Sequence, residues 1–247
     1  MKDYLNISFC LFLFTFQLIF VACNDEIIHV DGEIAGKKYF PLETGRVWIY
    51  EYDSIIFERF SGRILQRTGW IREEISGILD DGRFRIERSF KKNQNDPWVV
   101  SEIWSARIEE QRAIRTEQNL PFIKLVFPPF NNVQWDGNAL FRDDIRILVA
   151  GEQLQPYLMW QYRITDTEGV FDWPHGRLQD VITVQQADLV SLIDRRYSYE
   201  RFAPGVGMVE KFKMILDCQC LGVPVTVPWE EKAEKGFILS QKLIDYY

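Results

Sequence analysis

The feature that most constrains the fold is an alternation of aromatic and polar side chains with a period of two residues. It begins at Trp48, continues with aromatic residues at Tyr50 and Tyr52, and places the acidic Glu51 and Asp53 between or after them. Successive side chains of a β-strand point to opposite faces, so this pattern predicts a strand with one buried face. The chain holds 18 Phe, 10 Tyr and 8 Trp. Such residues fit a pleated, half-buried surface, which favours strands throughout.

The sequence Asp80-Asp81-Gly82 separates two further runs of strand-like composition, 70–79 and 83–90. Asp-Gly between such runs predicts a hairpin, because glycine accepts a positive φ at no steric cost. The same alternation, punctuated by Pro, Gly, Asn and Asp, predicts further strands. They are expected at 98–106, 113–118, 122–127, 157–165, 179–186, 189–202, 207–216 and 236–246.

Helices are weakly supported. The segment 107–116 is the best helical alternative, since it is rich in Glu, Arg and Ala, but it lacks an apolar stripe at helical spacing. Residues 138–149 could hold a short helical turn. Ten or more strands without long helices predict an all-β fold in one domain, either an antiparallel sandwich or a curved barrel-like sheet, with little helix beyond the signal peptide.

Residues 1–22 are predicted to be a lipoprotein signal peptide. An apolar run over 7–22 is too short to span a bilayer comfortably as a helix. It leads into Phe20-Val21-Ala22-Cys23, which resembles a lipobox, where lipoprotein maturation attaches diacylglycerol to the cysteine thiol and cleaves before it. We therefore expect lipidation at Cys23. A plain secretory signal and an uncleaved anchor are the alternatives.

Residues 23–37 are typical of a lipidated tether, because they are polar, contain Gly32 and Gly36, and lack sustained periodicity. A single β domain is then expected over 38–247. Two or more acyl chains, at about 0.8 kcal/mol per buried CH₂, hold a protein stably on a membrane. We expect the membrane of this anchor to be the outer membrane. The acidic Asp25 and Glu26 resemble an export tag of Bacteroidota lipoproteins. The periplasmic and the cell-surface face both stay open.

Charge and histidine content narrow the classes of function. A formal net charge of −7 lacks the electrostatic footprint of nucleic-acid binding, and no stripe of Lys and Arg with interleaved aromatic residues is present. We therefore expect no nucleic-acid partner. The chain contains 2 histidines, His29 and His175. Histidine is the usual general base and metal ligand near neutral pH, so much familiar enzymology is nearly excluded.

Cys218 and Cys220 are the most obvious chemical constellation of the domain. At positions i and i+2 of a strand both thiols would face the same side. A disulfide between them is the first interpretation, because thiols of an exported protein tend to oxidise, although so small a ring is strained. Pairing elsewhere is the second, and a metal or redox site is the third. A metal would need two more ligands from His175 or carboxylates, so we predict no metal and no cofactor.

Other candidates are weaker. His175 follows Trp173-Pro174, which is typical of a rigid turn, and no Gly-x-Ser-x-Gly motif supports a Ser–His–Asp triad. The acidic pairs at 109–110, 143–144 and 230–231 are typical of solvated charge, and sequence cannot place two carboxylates across a cleft. Tryptophans could form sugar-stacking platforms, but large aromatic residues more often fill a β core. The candidates are Trp98, Trp104, Trp135, Trp160, Trp173 and Trp229.

A short spacing pattern, Phe-Pro followed by Gly or Asn and then Trp, occurs at both 40–48 and 127–135. Gly45 and Asn132 occupy the same place in the two copies. Gly and Asn are the residues most at ease in a left-handed backbone conformation. The pattern therefore predicts the same turn into a Trp-bearing strand at both places, which we interpret as recurrent turn chemistry and not as gene duplication.

The opening of the domain, Tyr39-Phe40-Pro41-Leu42-x-x-Gly45-x-x-Trp48-x-Tyr50-x-x-Asp53-Ser54-Ile55, resembles the start of an uncharacterised family of Bacteroidota lipoproteins. Segments 125–138 and 199–209 are similar to the middle and the end of the same family pattern. The likeness covers most of 39–215. It implies an exported lipoprotein with a β fold, and it carries over no activity and no site residue. Cys218 and Cys220 lie outside the pattern.

Together these features predict a non-enzymatic, lipid-anchored envelope lipoprotein that binds a protein, glycan or lipid partner at the outer membrane. Two alternatives remain. One is a cell-envelope hydrolase that uses carboxylates, which requires an open cleft with two facing carboxyl groups. The other is a carrier of acyl chains in a half-barrel, which requires an apolar cavity.

Overall fold

The computed structural model of the chain describes residues 36–220 and 222–247. The predicted signal peptide 1–22, the lipidation site Cys23 and nearly all of the tether lie outside these residues. The described residues form strands at Val47–Glu58 (β1), Arg63–Ile78 (β2), Phe84–Lys91 (β3), Val99–Glu109 (β4), Arg112–Glu117 (β5), Leu120–Val126 (β6), Gln134–Trp135 (β7), Ile147–Val149 (β8), Glu152–Leu154 (β9), Tyr162–Trp173 (β10), Gly176–Val190 (β11), Asp194–Ala203 (β12), Gly207–Asp217 (β13) and Lys235–Tyr246 (β14).

Two short helical segments accompany the strands, a 3₁₀ turn at Lys37–Tyr39 and a helix at Trp229–Lys232 (α1). Neither has both the length and the apolar character that a membrane-spanning helix needs, and the same holds for every helix in the described part of the chain. The helical alternative for 107–116 is wrong. This segment forms β4, a turn with Glu110 at φ +52° and β5, because its side chains pack with the period of a strand.

Twelve strands form one antiparallel sheet in the order β6-β5-β4-β3-β2-β1-β14-β13-β12-β11-β10-β7. The two edge strands, β6 and β7, lie close together. The N–H of Ile123 on β6 donates to the carbonyl oxygen of Gly137, two residues after β7, at 2.9 Å. The Trp135 indole N–H donates to Ile123 O at 2.8 Å. The sheet therefore curls into a nearly closed barrel. The predicted all-β fold is confirmed, in its barrel-like form and not as a sandwich.

The barrel consists of two meanders, β1 to β6 and β10 to β14, joined by the pairing of β1 with β14. At the end of this pairing the Val47 N–H donates to Tyr247 O at 2.8 Å, and the Tyr247 N–H donates to Val47 O at 3.1 Å. Each meander depends on local hairpins of the kind predicted from Asp80-Asp81-Gly82. That turn is confirmed, since Leu79 N–H donates to Arg83 O at 2.8 Å and Gly82 has φ +81°.

Three parts of the strand prediction need correction. The strand expected over 189–202 is interrupted at Ser191, whose hydroxyl oxygen accepts the backbone N–H of Asp194 at 3.0 Å and closes a turn between β11 and β12. The strand expected over 157–165 begins only at Tyr162. The short strands β7, β8 and β9 were not predicted, because two or three residues show no alternation.

The barrel has two different ends. We call the end with the turns at 79–83 and 204–206 the closed end, and the end with the turns at 59–62 and 191–193 the open end. At the closed end the chain before β1 covers the interior, with Tyr39 and Phe40 buried. The Trp48 indole N–H there donates to Val206 O at 2.6 Å.

The repeated Phe-Pro pattern makes the turn that its spacing predicts. Gly45 has φ +92° and Asn132 has φ +66°, so both residues hold the left-handed conformation. Each turn leads into a strand that carries a tryptophan, Trp48 in β1 and Trp135 in β7. In both strands the indole N–H donates to a backbone carbonyl, as described above, which fixes the ring against the barrel.

Gly236 provides a test of the close pairing of β13 with β14. It pairs with Leu216 across β13 and β14, has φ +121°, and a methyl group there would collide with the carbonyl oxygen of Ile215. Because left-handed backbone costs an alanine about 1–2 kcal/mol and the collision adds to this, we expect Gly236→Ala to lower the free energy of unfolding by roughly 3 kcal/mol or more. Urea unfolding followed by circular dichroism measures the change.

Gly82→Ala is the matched control. Gly82 also has a positive φ, but nothing lies within 4 Å of its added methyl group. We expect a loss of about 1 kcal/mol from the backbone conformation alone. Equal losses in the two variants would show that the approach of Ile215 does not constrain the pairing of β13 with β14.

Candidate functional site

The structure places His175 in the exposed turn between β10 and β11. Its Nε2 lies 3.9 Å from Asp245 Oδ1, and its ring packs edge-on against Trp173 with centroids 4.8 Å apart. No serine hydroxyl of the described residues lies within hydrogen-bond distance of it. The surroundings are those of a turn residue, as the sequence predicted, and offer no nucleophile to activate.

The other sequence candidates are scattered over the barrel. Trp104 and Trp160 are buried in the core, and the other four tryptophans named above are partly buried. Of the acidic pairs, Glu109 and Glu110 lie at the exposed β4–β5 turn, and Glu110 is the more exposed of the two. No two of these pairs meet across a cleft.

Cys218 and Cys220 lie directly after β13 and not on it. Their Cα atoms are 5.2 Å apart, within the range of roughly 4.4–6.8 Å that is usual for disulfides. The disulfide stays a prediction. In the described part of the chain, no group of three or more His, Cys, Asp or Glu residues is arranged to hold a metal ion.

The main feature of the interior was not predicted from the sequence: a cluster of charged side chains inside the barrel. We call it the interior charge cluster. Its members stand at inward-facing strand positions; for example, Glu73 lies between the buried Ile71 and Ile75 on β2. A charged residue in the apolar register of a strand is the signal that could have revealed it. The members are Glu73, Arg88, Arg115, Glu117, Lys124, Glu200, Lys211 and Lys213, all less than 9% exposed.

One half of the cluster surrounds Glu73. Its Oε1 accepts from Arg88 Nε at 3.1 Å and its Oε2 from Arg115 Nη2 at 2.6 Å. Both guanidinium groups also lie against the ring of Trp104, at 4.3 and 4.7 Å from its centroid. Burial alone would raise the pKa of the Glu73 carboxyl, but Arg115 and Arg88 outweigh it and hold that pKa below its ordinary value.

The other half consists of two carboxylates bridged by two ammonium groups. Lys124 Nζ lies 2.8 Å from Glu117 Oε1 and 2.7 Å from Glu200 Oε1. Lys211 Nζ lies 2.9 Å from Glu117 Oε2 and 3.2 Å from Glu200 Oε1. Burial opposes ionisation of both carboxyls, but the two lysines outweigh it. The pKa of Glu117 is therefore well below its usual range, and that of Glu200 is lowered.

Lys213 is the exception. No carboxylate of the described residues lies within 4 Å of its ammonium, which instead faces the rings of Tyr157, Phe122 and Trp160 at 5.7–5.9 Å. Its cross-strand neighbour is Ser198, whose hydroxyl donates to Gln186 at 2.7 Å. Burial, reinforced by the nearby Lys211, lowers the pKa of Lys213 to about 7.

The cluster therefore carries excess positive charge. Glu102, which accepts from Arg88 at 2.7 Å, adds one partly exposed carboxylate. Five cations (Arg88, Arg115, Lys124, Lys211 and Lys213) then face four carboxylates (Glu73, Glu102, Glu117 and Glu200), a difference of +1. Lys213 is the unmatched cation, because each of the other four bonds a carboxylate.

A cavity of about 320 Å³ leads from the open end of the barrel to Lys213. Its inner wall is polar and aromatic and its outer wall is apolar. The inner wall contains Arg88, Trp104, Glu117, Tyr157, Lys211 and Lys213. The outer wall contains Ile56, Ile147, Leu148, Val149, Phe237 and Leu239, and Ser54 and Gln118 complete the lining.

The hairpin of β8 and β9 forms one side of this opening. Glu152 on it accepts the backbone N–H of Arg59 at 2.9 Å, and Lys235 donates to Gln153 O at 3.0 Å. Within the described residues, no backbone–backbone hydrogen bond joins the hairpin to the 12-stranded sheet. It is held over the cavity by bonds that involve side chains.

A larger hollow on the far side of the hairpin, about 500 Å³, is less suited to a ligand. Its charges satisfy one another: Arg196 lies 2.6 Å from Asp217 and Arg59 lies 3.3 Å from Glu234. Lys235 also approaches Asp217, at 3.5 Å. The cavity at Lys213 is the candidate site because it exposes a buried cation that has no carboxylate within 4 Å in the described part of the chain.

No protein-family model matches the chain, and no curated protein sequence matches it. Similar solved structures include a candidate lipoprotein from Parabacteroides distasonis, with TM-score 0.40 and 12% identity over 85% of this chain and 98% of that one. A candidate exported protein with a YmcC-like fold from Bacteroides fragilis has TM-score 0.39 and 11% identity over 84% and 98%. At these TM-scores neither similarity indicates a function for this chain.

The unmatched ammonium predicts a pH-dependent cost in stability. The folded-state pKa of Lys213 lies below that of an unfolded lysine, 10.5. Between about pH 7 and 10.5 the lysine is therefore protonated in the unfolded chain but mostly neutral in the folded protein. The loss of folding stability caused by the buried ammonium is complete below pH 7 and shrinks as the pH rises toward 10.5. We expect Lys213→Met to raise the free energy of unfolding by roughly 1–3 kcal/mol at pH 6 and by less at pH 9.

Urea unfolding at the two pH values measures this difference. Lys92→Met, at an exposed lysine after β3, is the control and should change stability little at either pH. A loss of stability at pH 6 in Lys213→Met would mean that the ammonium is matched by a partner in the folded protein.

Proposed function

We propose that this protein is a non-enzymatic, lipid-anchored envelope lipoprotein that binds a small ligand in the cavity at the open end of its barrel. The observation that carries the proposal is the buried, unmatched ammonium of Lys213 at the inner end of that cavity. Burying a charge without a partner is costly, and proteins retain such groups mainly at functional sites. A ligand bound in the cavity would supply the partner that the Lys213 ammonium lacks among the described residues.

Binding is favoured over hydrolysis because the interior carboxylates are committed to other bonds. Glu117 and Glu200 face each other, but Lys124 and Lys211 lie between them. The lowered pKa of both carboxyls keeps them ionised near neutral pH, so neither can donate a proton as a general acid. The pair offers neither the acid nor the open space that glycoside hydrolysis needs.

The interior also limits the size of the ligand. The charge cluster fills the middle of the barrel, so a long acyl chain cannot run along its axis. A volume of about 320 Å³ lies at the lower end of the ~300–1,000 Å³ that is usual for small-ligand pockets. This supports a small lipid-like ligand rather than the several chains of a lipoprotein carrier.

The anchor is proposed at Cys23, which lies 13 residues before Gly36. A chain of that length spans at most ~45 Å when extended. Gly36 approaches Pro129, and Lys38 O accepts from Gly205 N–H at 2.7 Å, both at the closed end. The tether thus joins the barrel opposite the cavity. The family resemblance and the lipobox support the outer membrane as the location.

Filling the cavity tests the binding proposal. Ser54 lies on β1 and lines the cavity, so Ser54→Trp should occupy it. We use the unlipidated full chain, Cys23→Ser, and three eight-carbon probes: octanoate, 1-octanol and octylammonium. Calorimetry should show that at least one probe binds, and that Ser54→Trp weakens this binding by tenfold or more because the ring takes its place.

Ser101→Trp, at an exposed position of β4, is the matched control and should bind the same probe as well as the parent. If the parent binds none of the probes, or if both tryptophan variants bind equally well, the cavity is not a ligand site.

Lipidation is tested separately in cells. Cys23→Ser removes the proposed thiol and should move the protein from the membrane pellet to the soluble periplasmic fraction, because the acyl chains are lost. Cys10→Ser in the signal peptide is the control and should leave the protein in the pellet. Retention of Cys23→Ser in the membrane would contradict anchoring by lipid at this residue.

A further inference from the structure

We propose that the ligand of the cavity is an amphipathic monoanion, whose negative group binds the ammonium of Lys213 and whose short apolar tail lies between β1, β14 and the β8–β9 hairpin. This inference rests on the proposed function and names its ligand class. A carboxylate such as a short fatty acid has this chemistry, as does an acyl group that carries another single negative charge.

Two donors that line the cavity, the Lys213 ammonium and the Trp104 indole N–H, lack an acceptor among the described residues. Lys213 has no carboxylate within 4 Å among the described residues, and its side chain is almost completely buried. The indole N–H of Trp104 is also buried and donates to no acceptor in the described part of the chain, although Trp104 lines the same cavity. A ligand that satisfies both groups must supply hydrogen-bond acceptors.

The field at Lys213 favours a negative ligand. Lys211 on the same strand and Lys124 on β6 both weaken the proton affinity of Lys213, while Glu117 on β5 and Glu200 on β12 strengthen it. Both glutamates are bridged by lysines, so they offer little attraction to a cation. The cluster and Glu102 together leave one positive charge unmatched, and a single anion balances it.

The outer wall defines the rest of the ligand. Ile56, Phe237 and Leu239 face Leu148 and its neighbours on the hairpin across the opening. Leu148 is 70% exposed at the rim of this wall, where it is accessible to an apolar tail. An apolar tail of a few carbons would cover this wall, while a long chain would extend beyond it.

The three eight-carbon probes separate charge from shape. At pH 6 octanoate should bind the unlipidated full chain at least tenfold more tightly than 1-octanol, and octylammonium should bind more weakly than either. Lys213→Met should abolish the preference for octanoate over 1-octanol while leaving binding of the alcohol. Lys213→Arg keeps the positive charge and should keep the preference. Circular dichroism verifies the fold of each variant.

The pH dependence of octanoate binding is a second test. It uses the parent protein, so it does not require the Lys213→Met variant to fold. Because burial lowers the pKa of Lys213 to about 7, the ammonium is mostly charged at pH 6 and mostly neutral at pH 8.5, while octanoate is ionised at both. The affinity for octanoate should therefore fall by about tenfold or more between these pH values. Lys213→Arg, which stays charged, should show little change.

The outcomes distinguish the two proposals. If 1-octanol binds as tightly as octanoate and Ser54→Trp abolishes both, the cavity is a ligand site but the ligand is not selected by charge. That result overturns this inference alone. If octanoate binds equally well at pH 6 and pH 8.5 to the parent protein, Lys213 does not bind its negative group. If no probe binds, the proposed function fails as well.

Discussion

The structure depends on keeping several charges in the interior of a β-barrel. Lys124 and Lys211 bridge Glu117 and Glu200, and these four residues come from β5, β6, β12 and β13, which belong to both meanders. A partly satisfied buried network is worse than an apolar core, so each member requires the others. The bridge therefore links the two meanders across the interior of the barrel.

The register of the strands explains why the ammonium of Lys213 has no carboxylate partner in the part of the chain that the structure describes. The register of β12 and β13 pairs Glu200 with Lys211 but pairs Lys213 with Ser198. A strand must alternate faces, so Lys213 points inward two residues after Lys211 whether or not a carboxylate awaits it. Its ammonium reaches the cavity at the open end, where a ligand can supply what the protein does not. A buried charge without a partner is expected to cost stability, and proteins often accept such a cost at binding sites.

Local features of the fold were predictable from the sequence, and its long-range pairings were not. Alternation and the Asp80-Asp81-Gly82 turn identified most strands and one hairpin, because these depend on neighbouring residues. The joint of β1 with β14 connects residues far apart, and no local pattern encodes it. The site was missed because the sequence alone does not show whether a charged residue faces the interior or the solvent. Glu73 faces the interior and belongs to the cluster, whereas Glu110 is exposed to solvent.

The β8–β9 hairpin has a consequence for how such a protein can diversify. Within the described residues its backbone forms no backbone–backbone hydrogen bond with the main sheet, so insertions or deletions at the turn between Val149 and Glu152 would reshape the entrance without breaking the hydrogen bonds of that sheet. Loops of this kind tolerate changes in length that strands do not. Selectivity for a longer or bulkier molecule could thus evolve by exchanging this one segment, while the barrel and the residues at its centre are inherited unchanged.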